Sequence, residues 1–252
     1  MSNEFELKHL GKAQYCLDIE FNIKNEKISL LQKGYIQDVL ERFGMTDCKP
    51  VSTSLNPNDR LMKSIREPTE EQSKQPYREL VGALTYLSLC TRLDISFEVS
   101  YLAQFNDCHR NEHWSAAARV LRYLKGTMNL GIVYKTNKLD LRSYVDVDWG
   151  NSATDRRSYT GYYFILSGAA ISWESKKQQT VALSTTQAEY MGLTEVPKEA
   201  IYLSRFLIEL GVERLADVKI YNDNLSALRF AENPTYHARS KHIDIRARCI
   251  DK

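Results

Sequence analysis

Asp146 and Asp148 interrupt LRSYVDVDWG (residues 141–150), which otherwise reads as a strand built from Leu141, Tyr144, Val145, Val147 and Trp149. Isolated ionised carboxylates in apolar surroundings are costly unless a cation or hydrogen bonds hold them. Two further acids stand in comparable places: Glu189 on the first turn of a long helical segment, and Asp223 at the end of the short apolar run VKIYNDN. If the strand bearing Asp146 neighbours the one ending at Asp223, the three acids converge at one sheet edge. No Cys or His lies close to them in sequence, so such a cluster suits hard, oxygen-binding cations, Mg²⁺ or Mn²⁺, rather than Zn²⁺. Two such ions held by shared carboxylates activate water and stabilise the leaving oxygen of a phosphodiester. The residues alone leave a plainer account open. An Asp at a strand end commonly serves a turn, and Thr186-Gln187-Ala188-Glu189 fits a T-x-x-E capping box at a helix start.

The elements that must position these acids are legible as changes of periodicity. AQYCLDIEFNIKNEKISLL (13–31) alternates apolar and polar residues around Lys24-Asn25-Glu26-Lys27, the pattern of a hairpin. GYIQDVLERFGM follows with Ile36, Val39, Leu40 and Phe43 at helical spacing, closed by Gly44. Residues 49–76 are rich in Pro, Ser, Asn, Lys and Glu and lack periodicity, as expected of a linker or long surface loop. Three amphipathic helices are expected over 77–138, carried by Leu80, Leu84 and Leu87, by Ile95, Val99 and Leu102, and by Trp114, Ala117, Leu121 and Leu124. From residue 139 the pattern becomes LDLRSYVDVDW, TGYYFILSG and AAISWESK, three strands with the last two joined at Gly168. A long helix follows, with Leu193, Ala200, Leu203, Leu207 and Leu210 inward and Gly211 at its end, then the strand VKIYNDN and the short helix LSALRFAEN. Three strands, a helix, a strand and a helix read as α/β with a mixed sheet. The divisions expected are therefore 1–48, 49–76, 77–138 and 139–252.

At 252 residues and 43% hydrophobic the chain can bury a sizeable core, and a net charge of +2 neither requires nor opposes a nucleic-acid partner. Five scattered Cys, an odd number without a CxxC, argue against a disulfide framework, so a reducing, intracellular compartment (cytoplasm or nucleus) is expected. MSNEFELKHLG lacks the apolar core of a signal peptide, and LVGALTYLSLC is too short and polar to span a bilayer, so no membrane association is expected.

Longer motifs narrow the field. YVDVDWGNSATDRRSYTGYY, ISWESKKQQTVALSTTQAEYM, KIYNDNLSAL and HARSKHIDIR resemble, in order and spacing, the ribonuclease H region of copia-type retrotransposon polyproteins. PYRELVGALTYLSLCTRLDISFEVSYLAQF and HWSAAARVLRYLKGT resemble the connection that precedes it, and FELKHLGKAQYCLDIEFN through VLERFGM resembles the end of the reverse transcriptase palm and the start of its thumb. The resemblance implies a ribonuclease H-like mixed sheet with flanking helices, preceded by a β-hairpin and a small helical connection subdomain. It implies cleavage of the RNA strand of an RNA–DNA hybrid with two Mg²⁺ or Mn²⁺ ions, in a chain associated with the remainder of a Pol polyprotein. Asp146 would bridge the ions, Glu189 and Asp223 would be ligands, and Asp148 is a lesser candidate for the metal. Arg156, Arg157, Lys176, Lys177, Arg239 and Lys241, with Arg246 and Arg248, are candidate phosphate contacts, although each also reads as a solvated surface charge. His237 and His242 are candidates for assisting product release, or plain surface histidines. Trp149 and Trp173 read as core, and Tyr162-Tyr163-Phe164 as strand packing.

The chain also departs from the family pattern. The polymerase aspartate pair lies upstream of FELKHLG in the family, so no polymerase activity is expected. Past KHIDIR the family continues into a last strand and a helix bearing a fourth acid, whereas here the chain runs IDIRARCIDK, so a domain short of both and weak in one metal is expected. Asp244 reads as structural rather than as a replacement ligand. Pro197 interrupts the long helix, at a cost of about 3 kcal/mol if the helix runs straight. Leu93, Asp18 and Gly150-Asn151 replace the residues usual at those places. The alternative function is therefore a remnant that binds nucleic acid or a protein partner without cutting.

Overall fold

The computed structural model describes residues 11, 13–56, 59–63, 69–135, 140–152 and 154–232. It is a mixed α/β chain with two four-stranded sheets among the described residues. The first sheet opens with β1 (Tyr15–Cys16), β2 (Ile19–Lys24) and β3 (Lys27–Leu31). The turns that join them place Leu17-Asp18 and Asn25-Glu26 at positive φ in both residues, which matches the twist of a two-residue hairpin. Asp18 tolerates this conformation better than most residues and accepts a 2.7 Å hydrogen bond from the Tyr15 hydroxyl.

Helix α1 (Lys33–Arg42) follows, then the short α2 (Glu70–Ser73), α3 (Tyr77–Cys90), a 3-10 turn at Leu93–Ile95, α4 (Ser96–Ala103) and α5 (Asn111–Gly126). The chain then returns as β4 (Ile132–Lys135), which pairs antiparallel with β3 and completes the first sheet. The expected divisions at 48 and 76 do not separate cores. One hydrophobic cluster runs from Ile36, Val39 and Leu40 of α1 through Leu61 to Leu80, Leu102 and Leu124 of the three longer helices. Described residues of the expected linker 49–76 pack against the helices. Leu61 is buried and exchanges backbone hydrogen bonds with the Tyr101 hydroxyl, while the Ser54 hydroxyl donates to Glu98 at 2.6 Å. Its short helix starts at a Thr69/Gln72 capping box.

Arg92 is buried beside the 3-10 turn at 1% exposure. Its guanidinium donates to Asp94 at 2.9 and 2.7 Å and to the Thr127 backbone and hydroxyl oxygens at 3.2 and 2.6 Å, with its carbon 5.7 Å from the Tyr123 ring centroid. This clamp joins the end of α3 to the end of α5.

The second sheet contains β5 (Leu141–Asp148), β6 (Tyr159–Leu166), β7 (Ala169–Lys177) and β8 (Val218–Tyr221) in the order β7-β6-β5-β8. β5 is antiparallel to β6 and parallel to β8, so the expected mixed sheet forms, with the acid-bearing strands adjacent. Helix α6 (Thr185–Glu209) crosses between β7 and β8, and α7 (Leu225–Glu232) follows β8. Leu141, Val145 and Phe164 pack under Leu193, Val196, Ala200, Leu203 and Leu207 of α6. Leu210, expected inward, is 61% exposed because it caps the helix end, beyond the sheet. Pro197 lies buried within α6, whose helical conformation continues on both sides.

The face of β5 turned away from α6 carries Tyr144, Asp146 and Asp148. Tyr144 pairs with Tyr163 and Tyr221 across the strands, with ring centroids 5.3 and 5.0 Å apart and planes within 21° and 15°. These spacings approach the inter-strand repeat of about 4.8 Å, so the rings stand side by side on the sheet. The helical unit packs on the outer part of this face. The Trp173 indole donates to the Ser88 carbonyl at 2.7 Å, Phe97 meets Tyr159 edge to face at 5.1 Å, and Lys177 reaches Gln104 at 2.9 Å. Trp149, read as core, is instead 46% exposed, its indole donating to the Ala182 carbonyl at 3.2 Å.

Candidate metal centre

The three acids reach one point because each element ends or bends at the right place. On β5, alternation sends Val145 and Val147 into the core and Asp146 to the exposed face. Pairing with β8 stops at Tyr144↔Tyr221, so Asp146 lies just past the paired stretch. There the chain leaves β8 through Asn222-Asp223. The Asn222 amide donates to the Val145 carbonyl at 3.2 Å and to the Glu189 carboxylate at 2.9 Å. Its own oxygen accepts from the Asn224 N–H at 2.8 Å, and Asn224 in turn accepts from Ala227 at 3.0 Å at the start of α7. Asn222 thus ties strand, helix and turn together.

Glu189 is released from capping. Helix α6 is capped by Ser184, whose hydroxyl accepts from the Gln187 N–H at 3.2 Å, while the Gln187 side chain accepts from the Leu183 N–H at 2.8 Å. The Thr186–Glu189 box therefore does not form, and Glu189 lies in the second turn rather than the first. One turn further on, Gly192 faces β5. A Cβ there would sit 2.7 Å from Val147 Cγ2, so only glycine lets the helix approach closely enough to bring Glu189 to Asp146. Gly192→Val is expected to lower stability by about 1–3 kcal/mol and to weaken divalent-cation binding, because the helix must lift. Thermal melts with calorimetric Mn²⁺ titration check this, and an unchanged Mn²⁺ affinity refutes the positioning role.

Carboxylate oxygens of Asp146, Glu189 and Asp223 lie within 4.8 Å of one another, with Glu189 buried and both aspartates exposed. Burial pushes the Glu189 carboxyl above its ordinary value; Asp146 and Asp223 push the same way, against the Asn222 hydrogen bond. A carboxyl raised in this way favours the protonated fold. The metal-free protein should therefore lose stability as pH rises from 4.5 through the raised value, and divalent cations, which compete with that proton, should bind more tightly over the same interval. Melts recorded across that range with and without chelator test the sign. The donor set of carboxylate oxygens, with no thiol or imidazole among the three, fits a hard divalent cation.

The other candidates fare differently. Asp148 shares the face of Asp146, but its carboxylate accepts from the Asn151 amide and it is not one of the three converging acids. Lys177 is mostly buried, paired with Asp155 at 2.9 Å and hydrogen-bonded to Gln104. Partial burial alone would raise the Asp155 carboxyl, yet hydrogen bonds from Ser152, Lys177 and the Arg157 backbone hold it at about 2. Arg157 pairs with Asp155 at 3.5 Å, and Lys176 lies 3.9 Å from Glu174. Arg156 is exposed. Arg239, Lys241, Arg246, Arg248, His237, His242 and Asp244 lie outside the described residues. Asn222 and Gly192 were not singled out from sequence; the only signals were an amide beside Asp223 and a glycine three residues after Glu189.

No family model matches the chain. It is 43% identical over 252 residues to a retrovirus-related Pol polyprotein from transposon TNT 1-94 of Nicotiana tabacum, an alignment that covers 98% of this chain and 19% of that protein. It is 39% identical over 246 residues to the Pol polyprotein from transposon RE1 of Arabidopsis thaliana, covering 97% and 17%. An uncharacterized mitochondrial protein of Arabidopsis thaliana is 35% identical over 205 residues, covering 81% of this chain and 84% of its own length. The chain thus spans less than a fifth of the two polyproteins. Matches of this extent show that the chain belongs to the copia-type, retrovirus-related Pol polyproteins of transposons.

Proposed function

We propose that this chain is a ribonuclease H-like nuclease that hydrolyses the RNA strand of an RNA–DNA hybrid, with two Mg²⁺ or Mn²⁺ ions at Asp146, Glu189 and Asp223. The observation that carries the reading is the meeting of three carboxylates, from a strand, a helix and a turn, within 4.8 Å. The β7-β6-β5-β8 order, with α6 crossing to β8, also supports the ribonuclease H-like reading. When bound, the ions supply charge neutralisation at the phosphodiester and lower the pKa of the attacking water. The protein's own part is positioning. Asp146 stands between the other two elements and offers the shared ligand, Asn222 orients Glu189, and Gly192 sets the distance between helix and strand. Arg156 remains exposed for phosphate contact; Lys176, in register with Thr160 and Val147, stands on the α6 side of the sheet beside Glu174, and Lys177 and Arg157 are engaged by Asp155.

Incubation of the chain with a labelled RNA–DNA hybrid and Mn²⁺ or Mg²⁺ tests the proposal, with Asp146→Asn beside it. Metal-dependent cleavage lost in the variant supports it; no cleavage by the wild type refutes it. The engagement of Asp148 by Asn151 leaves three acids for the ions and favours, as the second reading, a chain that holds the hybrid without cutting it. Hybrid binding without cleavage is its signature.

A further inference from the structure

Close to the acids, the helical unit meets the second sheet through Gln104, the residue after α4. Asp148, Tyr159 and Lys177 stand in register across β5, β6 and β7, on the face of Asp146 and one pleat repeat of about 7 Å beyond it. Gln104 comes down on this row. Its amide donates to the Tyr159 hydroxyl and, at 3.3 Å, to the Tyr101 carbonyl, while its oxygen accepts from Lys177 Nζ at 2.9 Å. The Lys177 side chain, 17% exposed, also meets Asp155 at 2.9 Å. Asp155 belongs to the turn between β5 and β6 that carries Arg156. The Arg156 N–H donates to the Ser152 carbonyl at 2.9 Å and the Ser152 N–H to the Arg157 carbonyl at 3.2 Å, which closes the turn, and Asp155 accepts from the Arg157 N–H at 3.3 Å.

Two features say that this relay does more than join the units. Arg156 has φ 58°, a left-handed backbone that non-glycine residues keep only where the surroundings enforce it. A Cβ on Gly150 would lie 3.8 Å from Arg156 Nη2, so the guanidinium stands beside the residue two after Asp148. Cohesion, moreover, does not need a mostly buried ammonium. Phe97 and Tyr101 already pack on the Tyr159 ring, with centroids at 5.1 and 6.4 Å, and an apolar side chain of similar length would fill the place of Lys177 without desolvating a charge.

We infer that Lys177, itself set by Gln104 of the helical unit, is a positioning residue: by holding Asp155 it fixes the strained turn and aims Arg156 at a backbone phosphate of the hybrid. Lys177 also occupies a carboxylate that would otherwise compete with phosphate for Arg156. The inference rests on the nuclease reading and adds the helical unit to substrate binding.

Variants of the full chain are compared by hybrid affinity across a salt series, by cleavage kinetics in Mn²⁺, by Mn²⁺ calorimetry and by melting. Lys177→Met should keep its Mn²⁺ affinity and kcat, raise KM severalfold and flatten the slope of log affinity against log salt by about one, as for one lost phosphate contact. Lys177→Arg should restore both. Gln104→Leu removes no charge, so any flattening it causes acts through Arg156, and it should shift KM in the same direction. In an Arg156→Ala background neither variant should change KM or slope further. Effects that repeat undiminished in that background, or a wild-type slope in both variants, overturn the positioning role. Should Lys177→Met melt far below the wild type, Gln104→Leu and Lys177→Arg carry the same cycle. A wild type that cleaves nothing but binds the hybrid with this non-additivity overturns the nuclease and keeps the relay; one that neither binds nor cleaves overturns both.

Discussion

Metal-free Asp146→Asn protein should melt higher than the wild type, yet gain nothing from Mg²⁺ or Mn²⁺. Carboxylate oxygens of the three acids lie within 4.8 Å of one another, and among the described residues the hydrogen-bond partners of Glu189 are neutral, the Asn222 amide and the Val147 backbone. Removing one of the three charges relieves repulsion worth on the order of 1 kcal/mol after solvent screening of the exposed aspartates. In a chain of this length that is a rise of roughly 2–4 °C. The wild type recovers the deficit, and more, once an ion binds only the folded state. Cleavage should fall by on the order of 10²–10³-fold, the usual effect of deleting one electrostatic stabiliser. Melting curves with chelator, then with 5–10 mM metal (about a hundredfold over a weak site), separate these effects. A variant that melts lower without metal, or a wild type indifferent to it, rules out the trio as a cation site.

The largest loss of stability should come from the Arg92 clamp. Asp94→Ala leaves a guanidinium at 1% exposure with no counter-charge, which typically costs about 3–5 kcal/mol. Roughly 10 °C of melting temperature should disappear. Burial raises the Asp94 carboxyl, but the hydrogen bonds and charge of Arg92 outweigh it and hold the group below its ordinary value. The clamp's contribution is therefore complete above pH 3.8 and fades as the pH falls below it. Replacing both partners, as Arg92→Met with Asp94→Leu, should recover much of the loss, since no charge is then stranded. A single-variant loss under about 1 kcal/mol, within the range of an exposed pair, would mean that the clamp is open in solution.

Most elements were legible because their signals are local. The alternation in 13–31 and the helical spacing of Leu80, Leu84 and Leu87 need no knowledge of neighbours, and the parity of β5 already placed Asp146 and Asp148 on one face. What stayed hidden depends on partners distant in sequence. β4 is four residues long, too short to show a period, and exists because β3 offers it an edge. Residues 49–76 look like a linker, yet Leu61 finds the Tyr101 hydroxyl and a buried pocket. Two overlapping helix starts, Ser184/Gln187 and Thr186/Glu189, compete in the sequence, and the site decides between them because Glu189 is better held by Asn222 than by its own helix end. The close approach at Gly192 is invisible until Val147 is opposite it.

The pairing of Leu30 with Ile132 joins strands about a hundred positions apart, with every helix of the first unit strung between them. During synthesis β3 must therefore wait, its edge open, until the helices have emerged and collapsed. A ribosome-stalled or proteolysed product ending before Ile132 would expose that edge as a template for aggregation. Closure of this sheet is thus a late proofreading step, completed only by chains that have already built the helical unit.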